Sequence, residues 1–165
     1  MQQIDSKLDI LKKYILSDQN KFYRLAYSYT KNSDEAADVV QEAICKAIEK
    51  VNTLRKIEYV KTWFYRILIN ESLNYIRKNK RYIQDERISD NAIYEDKDIA
   101  QSYTVLNAIF GLEPKMRTIV ILRYYEDMKL TEIAKVTSCN VNTVKSRLYK
   151  ALDLLKVSIG GDDFE

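Results

Sequence analysis

"LTEIAKVTSCNVNTVKSRLYKAL", Leu130 to Leu152, is the stretch whose reading decides the fold. Ile133, Ala134 and Val136 mark one short apolar series, and Val141, Val144, Leu148, Ala151, Leu152 and Leu155 mark a longer one. Steps of three and four residues put each series on one face of a helix. Asn140, between them, is a favoured cap residue. The spacing predicts a short helix, a tight turn and a longer helix. Opposite the second apolar stripe stand Asn142, Thr143, Ser146, Arg147 and Lys150, with Lys145 beside them. Such side chains suit the major groove of DNA: Arg and Lys pair with guanine, Asn with adenine, Ser and Thr with base edges or phosphate. A helix N-terminus also favours phosphate. An ordinary helical hairpin with a solvated basic face has the same spacing, so the motif needs support from elsewhere in the chain. Its turn carries Ser138 where Gly is frequent. A positive φ there would cost a serine about 1 kcal/mol.

The composition around this stretch is that of a helical protein. Three Gly and one Pro in 165 residues leave few turn formers. No apolar run approaches the roughly 18 residues a membrane helix needs, and "MQQIDSKLDILKK" has no signal-peptide pattern. A cytoplasmic protein with no direct membrane insertion is expected. Histidine is absent, and Cys45 and Cys139 lie far apart, which argues against metal sites and His-based catalysis. Both thiols are expected to be buried and inert. No cofactor and no enzymatic activity is expected. The net charge of +3 conceals three blocks: +6 over residues 1 to 81, −4 over 82 to 112 and +4 over 113 to 156. Two basic blocks flanking an acidic stretch suggest two modules that each meet a polyanion.

Upstream, Ile4, Leu8, Leu11 and Ile15 repeat at helical spacing, as do Phe22, Leu25, Ala26 and Tyr29 after a cap at Ser17-Asp18. "NSDE" at 32 to 35 predicts a helix start with Asn32 as cap and Glu35 reaching back to it. The helix it opens has an apolar face of Ala36, Val39, Val40, Ala43, Ile44, Ala47, Ile48 and Val51. "NTLRKIE" at 52 to 58 reads as a loop, followed by a long helix from about Tyr59 to Arg81. Residues 82 to 98 are acidic and poorly periodic, a linker. Gly111 ends the next helix, and Pro114 opens another. The fold class predicted is all-α: two small helical domains, 1–81 and 101–158, joined by an acidic linker over 82–100, the C-terminal one a helix–turn–helix.

Two further surfaces carry chemistry. On the long helix, Thr62, Arg66, Asn70, Asn74, Arg77 and Arg81 fall on one face, with Tyr59, Trp63 and Tyr65 near its start. Aromatic rings beside basic groups grip unpaired bases by stacking and phosphates by charge. Core packing is the plainer reading of Trp63. On the preceding helix, Asp34, Asp38 and Gln41 align, with Glu42 nearby. Acids so close to two DNA-like surfaces would repel DNA and suit a basic protein partner. A dimeric helix–turn–helix transcription regulator would need a sensor domain or dimer seam before residue 100. A nucleic-acid enzyme using Asp34, Asp38 and Glu42 would need converging acids, whereas these lie along one helix.

With those surfaces in view, "FYRLAYSYTKNSDEAADVVQEAICKA", "VKTWFYRILINESLNYIRK" and "LEPKMRTIVILRYYEDMKLTEIAKVTSCNVNTVKSRLYKAL" resemble, in order and spacing, the extracytoplasmic-function sigma factors. Within that family the chain is similar to the lysozyme-responsive type of low-GC Gram-positive bacteria. The resemblance runs from about residue 20 to 156. It implies a subunit that binds core RNA polymerase and initiates transcription of a stress regulon. Asp34, Asp38, Gln41 and Glu42 would dock on the β′ clamp helices, and the C-terminal domain would meet the β flap. Leu54, Arg55, Lys56, Tyr59, Trp63, Arg66, Asn70, Asn74 and Arg77 would capture and melt the −10 element. Asn142, Thr143, Lys145, Ser146, Arg147 and Lys150 would read the −35 element. A membrane-bound anti-sigma factor would hold the protein inactive. Asn74 departs from the pattern, standing where the family commonly has an acid.

Overall fold

The computed structural model describes residues 2–85 and 100–159, in eight α-helices and no strands. The helices are α1 (Gln2–Ser17), α2 (Gln19–Thr30), α3 (Ser33–Glu49), α4 (Val60–Asp85), α5 (Ala100–Phe110), α6 (Pro114–Tyr124), α7 (Leu130–Thr137) and α8 (Val141–Ile159). Of the linker expected over 82–100, residues 82–85 continue α4 and Ala100 begins α5; the rest lies outside the described residues.

Local chemistry sets most of the boundaries. Asn32 Oδ1 accepts the Glu35 N–H at 3.1 Å and starts α3. The expected return bond from Glu35 to the cap does not form, because the Asn32 N–H donates to Thr30 Oγ1 at 3.3 Å. Glu35 accepts instead from the Tyr75 hydroxyl, tying α3 to α4. Asp18 precedes α2 without a side-chain cap bond. Pro114 occupies the first turn of α6, where its missing N–H costs nothing. The expected loop at 52–58 contains two single 3-10 turns, Val51–Thr53 and Ile57–Tyr59.

In the N-terminal half, α2, α3 and α4 pack around Phe22, Leu25, Ala26, Val39, Ala43, Phe64 and Leu68, with Leu11 and Ile15 of α1 closing one side. Phe22 and Phe64 meet at 4.6 Å between ring centroids, and Phe22 meets Tyr65 edge-on at 5.5 Å. In the C-terminal half, Ile119, Leu122, Ile133, Val136, Val144, Leu148, Ala151 and Leu155 form the core of α6, α7 and α8. The two halves also touch each other. The Tyr65 hydroxyl donates to Glu126 Oε2 at 2.6 Å, and Lys61 Nζ donates to the Glu126 carbonyl at 3.2 Å.

Two packing expectations fail. Ile48 is 42 % exposed, although its neighbour Ala47 in the same turn of α3 is fully buried. Cys45 is exposed and Cys139 half-buried rather than both enclosed, because Cys45 sits on the outward face of α3 beside Gln41.

Candidate nucleic-acid interface

The α7–α8 pair has the geometry of a helix–turn–helix. Ser138, the residue that ends α7, has φ 57° and ψ 38°, the left-handed region. The following N–H, of Cys139, bonds the Ala134 carbonyl at 3.0 Å and closes the turn. Asn140 Oδ1 then accepts the Thr143 N–H at 2.8 Å, capping α8. Val144, Leu148, Ala151 and Leu155 are buried against α6 and α7. That anchoring turns the opposite face of α8 outward: Asn142, Lys145, Ser146 and Lys150 are exposed, and Thr143 is half-buried at the cap. Arg147 is half-buried as well, its Nη1 donating to Cys139 Sγ at 3.3 Å, so the guanidinium leans on the turn. The sequence did not foretell that contact.

On α4 the expected stripe is brought together from Thr62 to Arg77, while the side chain of Arg81 lies outside the described residues. Arg66, Asn70 and Arg77 are exposed, and Thr62 and Asn74 are half-buried. Asn70, Asn74 and Arg77 line an open cleft of about 340 Å³ between α3 and α4. Lys46 of α3 and Lys50, just past its end, line the same cleft with Glu71, adding charge that a reading of the α4 stripe alone misses. Lys46 is ion-paired with Glu71, and that hydrogen bond raises its pKa. No local pattern links Lys46 to α4, since its partner is 25 residues away.

The aromatic end of α4 differs from expectation. Tyr65 is fully buried, because it lies on the same face as Leu68 and enters the aromatic core. Burial first, then the bond to Glu126, pushes its phenol far above the usual range. Trp63 is half-buried and packs against the core, while Tyr59 is 48 % exposed. In the 52–58 loop, Arg55 and Lys56 are exposed, but Leu54 is 1 % exposed. Leu54 anchors the loop from below and faces away from any ligand outside it.

The acids of α3 are solvent-facing as expected: Asp34, Asp38, Gln41 and Glu42 are all exposed. Asp38 and Glu42 share a groove of about 370 Å³ with Lys46, Glu71, Asn74 and Lys78, so the acidic face borders the α4 stripe. No group of three or more potential metal ligands occurs among the described residues. None of the described helices is long and apolar enough to cross a membrane.

A basic, Asn-rich helix followed by a capped helix–turn–helix is the two-part layout of a promoter-binding factor. Family comparison agrees with both parts: residues 15–82 match sigma-70 region 2, and residues 104–155 match sigma-70 region 4. The chain belongs to the extracytoplasmic-function family of RNA polymerase sigma factors, which are transcription initiation factors. It is 42 % identical over 156 residues to the RNA polymerase sigma factor SigV of Bacillus subtilis, covering 90 % of each chain. It is 29 % identical to the extracytoplasmic-function sigma factor SigW of the same organism, covering 84 % of this chain and 82 % of that one. Among solved structures, the sigma factor RpoE in complex with the anti-sigma factor NepR from Bartonella quintana superposes with a TM-score of 0.76 at 25 % identity, over 92 % of this chain and 97 % of that one. CnrH in complex with the cytosolic domain of CnrY shares the fold, with a TM-score of 0.68 at 16 % identity over 93 % and 89 % of the two chains.

Proposed function

We propose that this chain binds core RNA polymerase, recognises −35 and −10 promoter elements and starts transcription of a stress regulon. The observation that carries the reading is the pairing of two polar, basic helix faces, α8 with its capped N-terminus and α4 with its cleft, in one chain. Residues 1–81 form the polymerase and −10 domain, and 101–158 form the −35 domain. Asp34, Asp38, Gln41 and Glu42, exposed beside the α4 stripe, dock on the clamp helices of β′. The C-terminal domain contacts the β flap.

Arg55, Lys56, Tyr59, Trp63, Arg66, Asn70, Asn74 and Arg77 hold the −10 strand, by charge at the loop and stacking at Tyr59. Leu54 supports the loop from the core. Asn142, Thr143 and Ser146 read −35 base edges together with Arg147, while Lys145 and Lys150 contact phosphate. Release of Arg147 from Cys139 is part of that engagement. An anti-sigma factor anchored in the membrane holds the protein inactive in the cytoplasm; the complex of the structurally similar RpoE with the anti-sigma factor NepR supports an anti-sigma partner.

Pull-down with core RNA polymerase, followed by binding of the resulting complex to promoter DNA, tests the reading. Capture by core and promoter-selective binding are expected. A chain that binds duplex DNA as a dimer and ignores core polymerase would instead be a conventional helix–turn–helix regulator.

A further inference from the structure

The basic side chains on the outer face of α8 are not equivalent. Lys145 and Lys150 stand exposed, whereas Arg147 is half-buried and its Nη1 donates to Cys139 Sγ at 3.3 Å. Long side chains on a helix run back toward its N-terminus, so the guanidinium lies along the end of α8 that opens the proposed reading face. The acceptor it finds there is fixed in place. Cys139 follows Ser138, whose backbone is left-handed, and precedes Asn140, whose side chain caps α8. The Cys139 N–H bonds the Ala134 carbonyl at 3.0 Å, and its thiol donates to the Thr137 carbonyl at 3.5 Å.

A thiol has one hydrogen, and Thr137 takes it. The sulfur therefore meets the guanidinium with its lone pairs only, as a weak acceptor. Such a contact orients the arginine without holding it hard. Guanine O6 and N7 together accept two guanidinium hydrogens and outcompete a single sulfur. A carboxylate at the same place would not yield so readily, since a charge-assisted bond is roughly twice as strong as a neutral one.

Given the base-reading role of Arg147, on which the inference rests, we propose that Cys139 sets the strength of −35 base preference, as a positioning residue that parks Arg147 until the right base pair offers a better acceptor. Parking acts selectively. On a promoter with the wrong base pair the arginine stays on the sulfur, and nothing is lost. On the cognate promoter that contact breaks, and its strength is subtracted from what the base contact contributes. The acceptor at position 139 therefore changes the preference at one base pair and leaves the other pairs alone. A purely structural role for Cys139 has a different signature: a damaged turn would displace α8 as a whole and weaken every promoter alike.

The test is binding of holoenzyme to duplex promoters that differ only within the −35 element. Preference is scored as the ratio of affinities at one base pair, so that changes common to all promoters cancel. Arg147→Ala first marks the pair that Arg147 reads. Cys139→Ala should raise the preference at that pair by about threefold, because no parked state remains. Cys139→Asp should lower it by about tenfold or more, while its general repulsion of DNA cancels in the ratio. In an Arg147→Ala background neither substitution should change the preference. Thermal melts confirm folding, and Cys139→Ala, small and neutral, decides the matter alone if the Asp variant does not fold. Loss that is uniform across promoters for Arg147→Ala would defeat the base reading, and the parking role with it. Base reading stands but the parking role is overturned if Arg147→Ala relaxes one pair while a folded Cys139→Ala protein leaves that pair unchanged, or shifts it equally without Arg147.

Discussion

On α8, Asn142, Lys145, Ser146 and Lys150 stand in solvent on a helix whose other face is buried in its own three-helix core. On α4, Asn70, Asn74 and Arg77 stand in a cleft they share with Lys46 of α3 and Lys50 just after it, and the helix touches α7. Both helices carry Asn and basic residues outward. One is a free edge, while the other is one wall of a groove lined with charges of both signs. Side chains on a free edge act one at a time, and side chains in a shared groove act as a group. The difference explains why Lys46 is invisible to a reading of α4, whereas nothing on the outer face of α8 depends on a distant residue.

The largest effect should appear on the groove side. Asp34→Arg together with Asp38→Arg should abolish binding to core polymerase and leave the fold intact, since both side chains are exposed. Affinity chromatography on core enzyme with circular dichroism as control measures both, and normal binding by the folded double variant would remove the docking role. Next in size, Asn140→Ala should cost about 1 kcal/mol of stability, because the Thr143 N–H loses its acceptor. Denaturant titration reads that cost, and no loss would mean solvent caps α8 equally well.

The comparison itself is sharpened by two double-mutant cycles on holoenzyme–promoter affinity. Lys46→Ala with Asn74→Ala should couple by about 0.5 kcal/mol or more, because both line one cleft; Lys145→Ala with Lys150→Ala should be additive to within about 0.5 kcal/mol. Equal coupling in the two cycles would erase the distinction between groove and edge. The smallest effect belongs to the turn. Ser138→Gly relieves a non-glycine residue at φ 57° and should stabilise the protein by a few tenths of a kcal/mol, since glycine also loses more chain entropy on folding. Destabilisation in a thermal melt would show that the Ser138 side chain contributes more than its strain costs.

What could be read in the sequence follows the same division. The α7–α8 unit was legible almost residue by residue: its cap, apolar stripe, left-handed turn and outward polar face all lie within 23 residues of one another. The starts of α3, α4 and α6 were legible for the same reason, but α4 runs on to Asp85, past the end expected at Arg81. The loop at 52–58 was half legible. Its charges are exposed, but Leu54 belongs to the core, and nothing in "NTLRKIE" says which way a single leucine points. Tyr65 was misplaced because an aromatic at the start of a basic helix fits stacking and core equally well, and its orientation depends on Phe22 and Glu126. Glu126 gave no signal at all. It is one acid among polar neighbours, and the tyrosine that buries with it lies 61 residues away.

The most direct measurement of the central claim, that α8 reads sequence and α4 holds the melted strand, is holoenzyme binding to a panel of −35 variants at several salt concentrations. Arg147→Ala is expected to cost about 1–3 kcal/mol at the cognate element and to relax preference at one base pair. Lys150→Ala should weaken every promoter alike and lower the salt slope by about one. A loss that is uniform across all −35 variants for Arg147→Ala would contradict the account, leaving that arginine to brace the turn through Cys139 rather than to read a base.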